Sequence, residues 1–357
     1  MRVLQLIDSL EAGGAERVAV NYANGLLSSV DGSYLCATRA EGLLKTNVNK
    51  RVGYLFLKKT KTLDFKAIWA LHRFVKKEKI TLIHAHSTSY FLATLITILN
   101  SKVKLVWHDH YGQSEFLKQR PQRVLKYCSN YFNHIFSVNL KLEQWAKTCL
   151  NTKSVSYLPN YAVLTATNLK TDLKGVDGKR IVCLANLRPQ KDHFNLLQAF
   201  QILVAKYPDW TLHLVGKDFK DEYSKHISKF ILTANLEQHI FVYGSCNDTS
   251  AILKASTIGV LSSQSEGLPL ALLEYGLAGL AVVATNVGDC SQVIQSDKTG
   301  LLVNPKDELS LFKALERYIQ SEALRDEHSK HLQRLVTHSF SERNTIQKLT
   351  NTYLGLY

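Results

Sequence analysis

Hydrophobic positions along this chain fall into short runs and not into long stripes. In the first half they occupy 3–8, 33–38, 53–57, 81–86, 104–109, 135–139 and 155–160. In the second half they occupy 180–186, 211–216, 240–244, 258–263, 280–286 and 300–303. Amphipathic stretches of helix length separate them. Short buried strands alternating with helices predict α/β architecture, with parallel sheets covered by helices on both faces. At 357 residues the chain exceeds what one core usually organises, so two domains are expected. The seam falls in 162–179, which is polar, contains Gly175 and Gly178, has no strong period and reads as a linker. Two doubly wound sheets joined by one linker would leave a cleft between facing strand ends, where open α/β sheets bind ligands.

Composition adds exclusions. No apolar run reaches the roughly eighteen residues needed to span a bilayer; the best candidate, Phe91 to Leu99, reads as a buried helix. Met1 to Leu10 lacks a basic region followed by an apolar block and reads as a first strand, so a cytoplasmic location is expected. None of the six cysteines forms a CxxC pair, which argues against zinc and for reduced thiols. Charge changes the picture more. Residues 1–170 hold 24 Lys and Arg against 10 Asp and Glu, while 171–357 hold 20 of each. All of the net charge of +14 therefore sits in the first half and predicts an anionic partner.

Candidate chemistry concentrates at strand-to-helix junctions. In Ser262 to Glu274 a strand ends, a glycine-containing turn follows, and Pro269 is expected at the first helical position. The free N–H groups of that helix would form a phosphate site. Glu266 lies in the turn and Glu274 more than one turn into the helix, so the two carboxylates need not share a face. One can accept hydrogen bonds from sugar hydroxyls and the other from a ribose diol. The bland alternative is a capping Glu266 and a surface Glu274. After 180–186, Arg188 can grip a diphosphate bidentately and Lys191 can act as a point charge. After the first strand, Gly13 and Gly14 permit close backbone approach, without the GxGxxG pattern of dinucleotide sites. Trp107 to Gly112 offers His108 and His110, either of which can exchange a proton near neutral pH or hydrogen-bond a sugar hydroxyl. His84 and His86 end the neighbouring strand and read as scaffold lining the cleft. No Asp-x-Asp pair occurs, so helix N-termini with Arg188 and Lys191 are left to neutralise phosphates, and neither metal nor other cofactor is expected.

Glu266, seven intervening residues and Glu274 resemble the EX7E motif of retaining GT-B glycosyltransferases, family 4 above all. Gly267-Leu268-Pro269, Thr285 to Gly288 and Thr299 to Val303 look like the same family, and the likeness runs over nearly the whole chain. The resemblance implies two Rossmann-like domains facing across a cleft: an acceptor-side domain of 1–162 plus a returning helix in 341–357, and a nucleotide-sugar domain of 163–340. It implies that Arg188 and Lys191 hold the donor pyrophosphate, with Gly267, Leu268, Pro269 and Glu274 around the donor. Gly14, beside Gly13, would reach the distal phosphate. Glu266 would hold the sugar, and His108, in preference to His110, would contact it near the reacting carbon, with His86 lining the cleft. Family members often carry a glycine before the arginine, where this chain has Asn186-Leu187.

The activity so implied is transfer from a nucleotide-sugar donor, a UDP-sugar in preference to a GDP-sugar, to an anionic or lipid-linked glycan acceptor in surface polysaccharide synthesis. A GT-B sugar-nucleotide epimerase is one alternative. A basic nucleic-acid-binding protein is another, but it calls for aromatic and basic residues interleaved on one face, whereas Lys58 to Lys61 and Lys76 to Lys79 are short clusters. The first domain is expected to lie peripherally on the inner membrane face through Lys58, Lys59, Lys61, Lys76, Lys77 and Lys79, with no nucleic-acid partner.

Overall fold

All thirteen expected runs are strands in the computed structural model, which describes residues 1–357. The first seven are β1 (Arg2–Ser9), β2 (Gly32–Ala40), β3 (Gly53–Phe56), β4 (Leu82–His86), β5 (Lys104–Asp109), β6 (His134–Ser137) and β7 (Val155–Tyr157). They form one parallel sheet in the order β3-β2-β1-β4-β5-β6-β7. Its helices are α1 (Gly14–Gly25), α2 (Phe65–Lys77), α3 (Tyr90–Leu99), α4 (Arg123–Cys128) and α5 (Leu140–Cys149).

The second sheet holds β8 (Arg180–Leu184), β9 (Thr211–Val215), β10 (Ile240–Gly244), β11 (Ile258–Leu261), β12 (Ala281–Thr285) and β13 (Leu301–Val303), in the order β10-β9-β8-β11-β12-β13. With it go α6 (His193–Lys206), α7 (Glu222–Thr233), α8 (Thr249–Lys254), α9 (Leu270–Ala278), α10 (Cys290–Val293), α11 (Glu308–Gln320) and α12 (Glu322–Ser339). A last helix, α13 (Glu342–Leu354), packs back on the first sheet. The chain thus divides into a unit of 1–161 with 342–357 and a unit of 162–341.

In each sheet the chain winds outward from its first strand, then jumps back to that strand's other side. The jump places a switch point between β1 and β4 in one sheet and between β8 and β11 in the other. Local chemistry starts the helices. Asp64 caps α2 by accepting from the Ala67 N–H at 3.1 Å, and Lys76 and Lys77 lie at its dipole-negative end. Gly279 ends α9 in the left-handed conformation that glycine adopts without cost.

Three details differ from expectation. The segment 162–179 has no helix or strand, yet it is strapped to the second unit: Asp248 accepts from the Lys170 and Thr171 N–H groups at 2.6 and 2.7 Å. In α3 the last two apolar residues, Ile98 and Leu99, are exposed. Pro269 is extended (ψ 122°) and precedes the first helical residue, Leu270, so it caps α9 instead of entering it.

Candidate functional site

The second unit gathers its candidate residues at the β8/β11 switch point. β8 delivers Arg188 and Lys191, and β11 delivers the turn with Glu266 and Gly267. Two hydrogen bonds strap the segments together: the Gln264 N–H donates to the Gln190 carbonyl at 2.8 Å, and the Ser262 hydroxyl donates to the Lys191 carbonyl at 3.0 Å. Across this junction Lys191 Nζ meets Glu266 Oε1 at 2.6 Å, and the Ser263 hydroxyl donates to the same oxygen at 2.6 Å. Glu266 is buried while Lys191 keeps access to solvent. A carboxylate so held is fixed in position. Arg188 is exposed and lies over the Phe219 ring at 4.7 Å, with Lys217 on the same ring at 5.2 Å. The aromatic face steadies two cations a short way from the Lys191–Glu266 pair.

The turn before α9 is shaped from behind. Gly288 has φ +54°, and a Cβ there would meet the Glu266 carbonyl oxygen at 2.2 Å and that of Gly267 at 2.6 Å. Only glycine fits this position. The Asp289 N–H donates to the Gly267 carbonyl at 2.9 Å, and the Thr285 hydroxyl to the Ser263 carbonyl at 2.7 Å. Leu268 is buried, and Glu274 is buried in the second turn of α9. Glu266 and Glu274 therefore occupy a turn and a helix interior, and neither is a surface residue.

The first unit presents a different set. Gly13 precedes α1 with extended backbone, and the Glu16 carboxylate folds against it so closely that a Cβ would meet Oε2 at 2.2 Å. In front of Gly14 nothing lies within 4 Å of a Cβ position, which leaves the start of α1 open to a ligand. Along β1, β4 and β5, the face beneath α1 and α13 carries Gln5, His84, His86 and His108, with His110 just beyond the strand end. Their imidazoles stack: ring centres are 4.5 Å apart for His84 and His86, 5.2 Å for His84 and His108, and 4.1 Å for His108 and His110. Tyr22 from α1 leans on the stack, and the Tyr353 hydroxyl from α13 hydrogen-bonds His84 Nδ1.

The hydrogen bonds of the stack order its protons. Gln5 Oε1 accepts from His86 Nε2 at 2.8 Å, which leaves His86 Nδ1 as the acceptor for His110 Nε2 at 3.0 Å. His110 Nδ1 is then a bare acceptor. Burial lowers the pKa of His84, His86 and His108 well below the usual imidazole value, and it pushes His110 down to about 3. Nitrogens of His84, His86 and His108 lie within 4.8 Å of one another. Their planes are within 10° to 26° of parallel, and lone pairs lie in the ring plane, so three of them do not converge on one ion.

His108 has no exposed surface and neither of its ring nitrogens has a partner, whereas His110 above it reaches the surface in part. Sequence reasoning did not single out Arg120. Its guanidinium pairs bidentately with Asp109 at 2.6 and 2.8 Å and lies over Tyr111 at 4.3 Å and Trp145 at 4.2 Å. The signal was available, since an aspartate ending a buried strand needs a cation. Lys59 is buried near Asp8 and Arg39, where burial lowers its pKa, so it is no surface contact.

Two family profiles match the chain nearly end to end: "Glycosyltransferase Family 4" over residues 12–160 and "Glycosyl transferases group 1" over residues 167–334. An uncharacterized glycosyltransferase of Haemophilus influenzae is 26% identical over 88% of both chains. The UDP-Gal:alpha-D-GlcNAc-diphosphoundecaprenol alpha-1,3-galactosyltransferase of Escherichia coli is 24% identical, over 82% of this chain and 80% of its own. Among solved structures, Anabaena HepE in complex with UDP and glucose superposes with a TM-score of 0.84 over 99% of both chains at 18% identity.

Proposed function

The chain belongs to the family 4 glycosyltransferases of GT-B fold, and from that premise we propose that it transfers a hexosyl or N-acetylhexosaminyl group from a UDP-sugar, with retention, to a lipid-linked glycan acceptor in surface polysaccharide synthesis. The observation that carries the proposal is the gathering of Arg188, Lys191, Glu266 and a helix N-terminus at the β8/β11 switch point. A diphosphate docks on the helix N–H groups and draws Lys191 and Arg188 to itself. Glu266, released from Lys191, then accepts hydrogen bonds from the sugar hydroxyls, and Glu274 accepts from the ribose diol. The bond between the anomeric carbon and the phosphate oxygen breaks. The acceptor hydroxyl attacks from the same face, and its proton passes to the departing phosphate. Each charge-assisted contact contributes about 2–4 kcal/mol to the transition state. The first unit supplies the acceptor side through the open start of α1 at Gly13 and Gly14 and through His110, whose bare Nδ1 can accept from a hydroxyl while His108 supports it from below. No metal takes part, and the enzyme works peripherally on the inner membrane face.

Support for a UDP-sugar comes from the HepE complex, which holds UDP and glucose, and from the UDP-galactose-dependent Escherichia coli relative. The test is titration with UDP and GDP followed by a screen of UDP-sugars, with the anomeric configuration of the product read by NMR. Saturable UDP binding and an axial product from an axial donor are expected. Binding of neither nucleotide, or an inverted product, overturns the proposal.

A further inference from the structure

We infer that α2 is the surface by which the first unit lies on an anionic bilayer, with Phe65 and Trp69 set among the lipid headgroups. The inference rests on the lipid-linked reading of the acceptor and adds to it a docking face and an orientation.

The inner face of α2 buries Ala67, Ile68, Leu71 and Val75. On the outer stripe Phe65 is 73% exposed and Trp69, one turn on, 61%, with Leu63 just before the helix at 54%. Trp69 meets the edge of His72, ring centres 5.6 Å apart, yet both aromatic side chains, at i and i+4 on the outer face, keep most of their surface in solvent. The other outward positions are Lys66, Ala70, Arg73, Lys76 and Lys77, and no acidic residue lies within Phe65–Lys77. The two that flank it are both engaged, Asp64 as the cap and Glu78 with Arg2 at 3.5 Å. Aromatic anchors between unopposed cations match a membrane interface, where rings enter the headgroup layer and ammonium groups meet lipid phosphates.

The rest of the molecule sharpens the assignment. The strongly exposed aromatic residues, Phe65, Trp69, Phe116, Tyr127, Tyr131 and Tyr357, all belong to the first unit, and the exposed large hydrophobics of the second are all aliphatic. The first unit also holds 25 Lys and Arg against 11 Asp and Glu. Following β3, α2 starts at the carboxyl edge of the sheet and runs back along it. Its aromatic end therefore sits at the edge that carries Gly14 and His110. Docked this way, the unit holds that edge at the depth of a lipid-linked phosphate.

Trp69 gives the inference its own reporter, since Trp107 and Trp210 are buried and Trp145 is largely covered by its neighbours. The experiment mixes the intact chain with vesicles of phosphatidylcholine, with and without phosphatidylglycerol. Sedimentation and Trp emission are then compared for the native chain, Phe65→Ser/Trp69→Ser, Lys66→Gln/Lys76→Gln and Trp69→Phe. The native protein is expected to bind the anionic vesicles only, with a blue shift that Trp69→Phe abolishes while retaining binding. The paired aromatic substitution should weaken binding at least tenfold, and the lysine pair by about fivefold per cation. Both should leave melting temperature and UDP affinity unchanged, since all four residues are exposed. Binding without any change in Trp69 emission assigns docking to another face and overturns the inference, as does absence of binding. Failure of UDP binding in the native chain would instead overturn the UDP-sugar reading of the donor.

Discussion

The first unit carries 25 Lys and Arg against 11 Asp and Glu and the second carries 19 of each, although both are doubly wound parallel sheets with a switch point beside their first strand. Their interiors differ as much as their surfaces. In the second unit the candidate residues are locked by backbone: the Gln264–Gln190 strap, Gly288 against Glu266, and the Thr285 hydroxyl on Ser263. In the first, a strand face that would ordinarily be apolar is filled with stacked histidines, Gln5, Tyr22 and Tyr353. In the proposed reading one unit fixes a geometry for the nucleotide-diphosphate donor, and the other keeps polar groups at its carboxyl edge for the acceptor, so one topology would serve two kinds of recognition.

The comparison breaks most visibly at Glu266. Glu266→Ala should lower transfer about 10²–10³-fold while UDP affinity changes little, and Glu274→Ala should weaken UDP binding with a smaller effect on turnover. Steady-state kinetics and calorimetric titration decide it; equal loss of UDP affinity in both variants would erase the division of labour between the two carboxylates. Gly288→Ala comes next. A side chain at φ +54° facing two carbonyl oxygens should cost the second unit about 1–3 kcal/mol and abolish the rise in melting temperature produced by UDP. An unchanged melting curve would show that the turn is not held from behind.

Acid sharpens the contrast from the other side. Burial holds His84, His86, His108, His110 and His134 below the pKa of an exposed imidazole, the last at about 4. Each therefore binds a proton on unfolding. Their contribution to stability is complete above about pH 6.5 and is lost as pH falls, with a slope approaching about 1.4 kcal/mol per pH unit for each. Melting followed from pH 7 to pH 5 should show the loss, and His108→Phe should flatten it by removing a ring whose nitrogens have no partner. A slope unaltered by that substitution would mean that the stack does not carry the acid sensitivity. The smallest expected effect is none at all: transfer after dialysis against EDTA should be unchanged. A rate that collapses and returns with magnesium or manganese would overturn the assignment of phosphate neutralisation to Arg188, Lys191 and a helix N-terminus.

The central strands were legible because they are buried on both faces and read as apolar runs, as in IGVL of β11, while half-buried β3 and β7 were legible from their apolar runs alone. The Glu266 to Glu274 segment was legible because a motif, a glycine turn and a strand end coincide within it. What sequence did not carry were relations between distant segments. Nothing local says that Gly288 backs onto Glu266, that Arg120 lies bidentate on Asp109, or that Lys59 is covered while Lys66 is free. His108 and His110 alternate correctly for one strand face, but only the strand's end point determines which of them emerges. Segment 162–179 looked like a linker because its hydrogen bonds go to Asp248, far along the chain.

The position of α13 has a consequence for biosynthesis. This helix completes the first unit, yet it is translated only after the 180 residues of the second. At ordinary elongation rates that interval is on the order of 10–40 s. Throughout it the nascent first unit exposes the histidine face that Tyr353 will cover. The second unit can fold meanwhile as a self-contained insertion, bringing its two ends into place and shortening the effective loop that α13 must close. Order of synthesis thereby becomes order of assembly: the second unit matures first, and the first is sealed last.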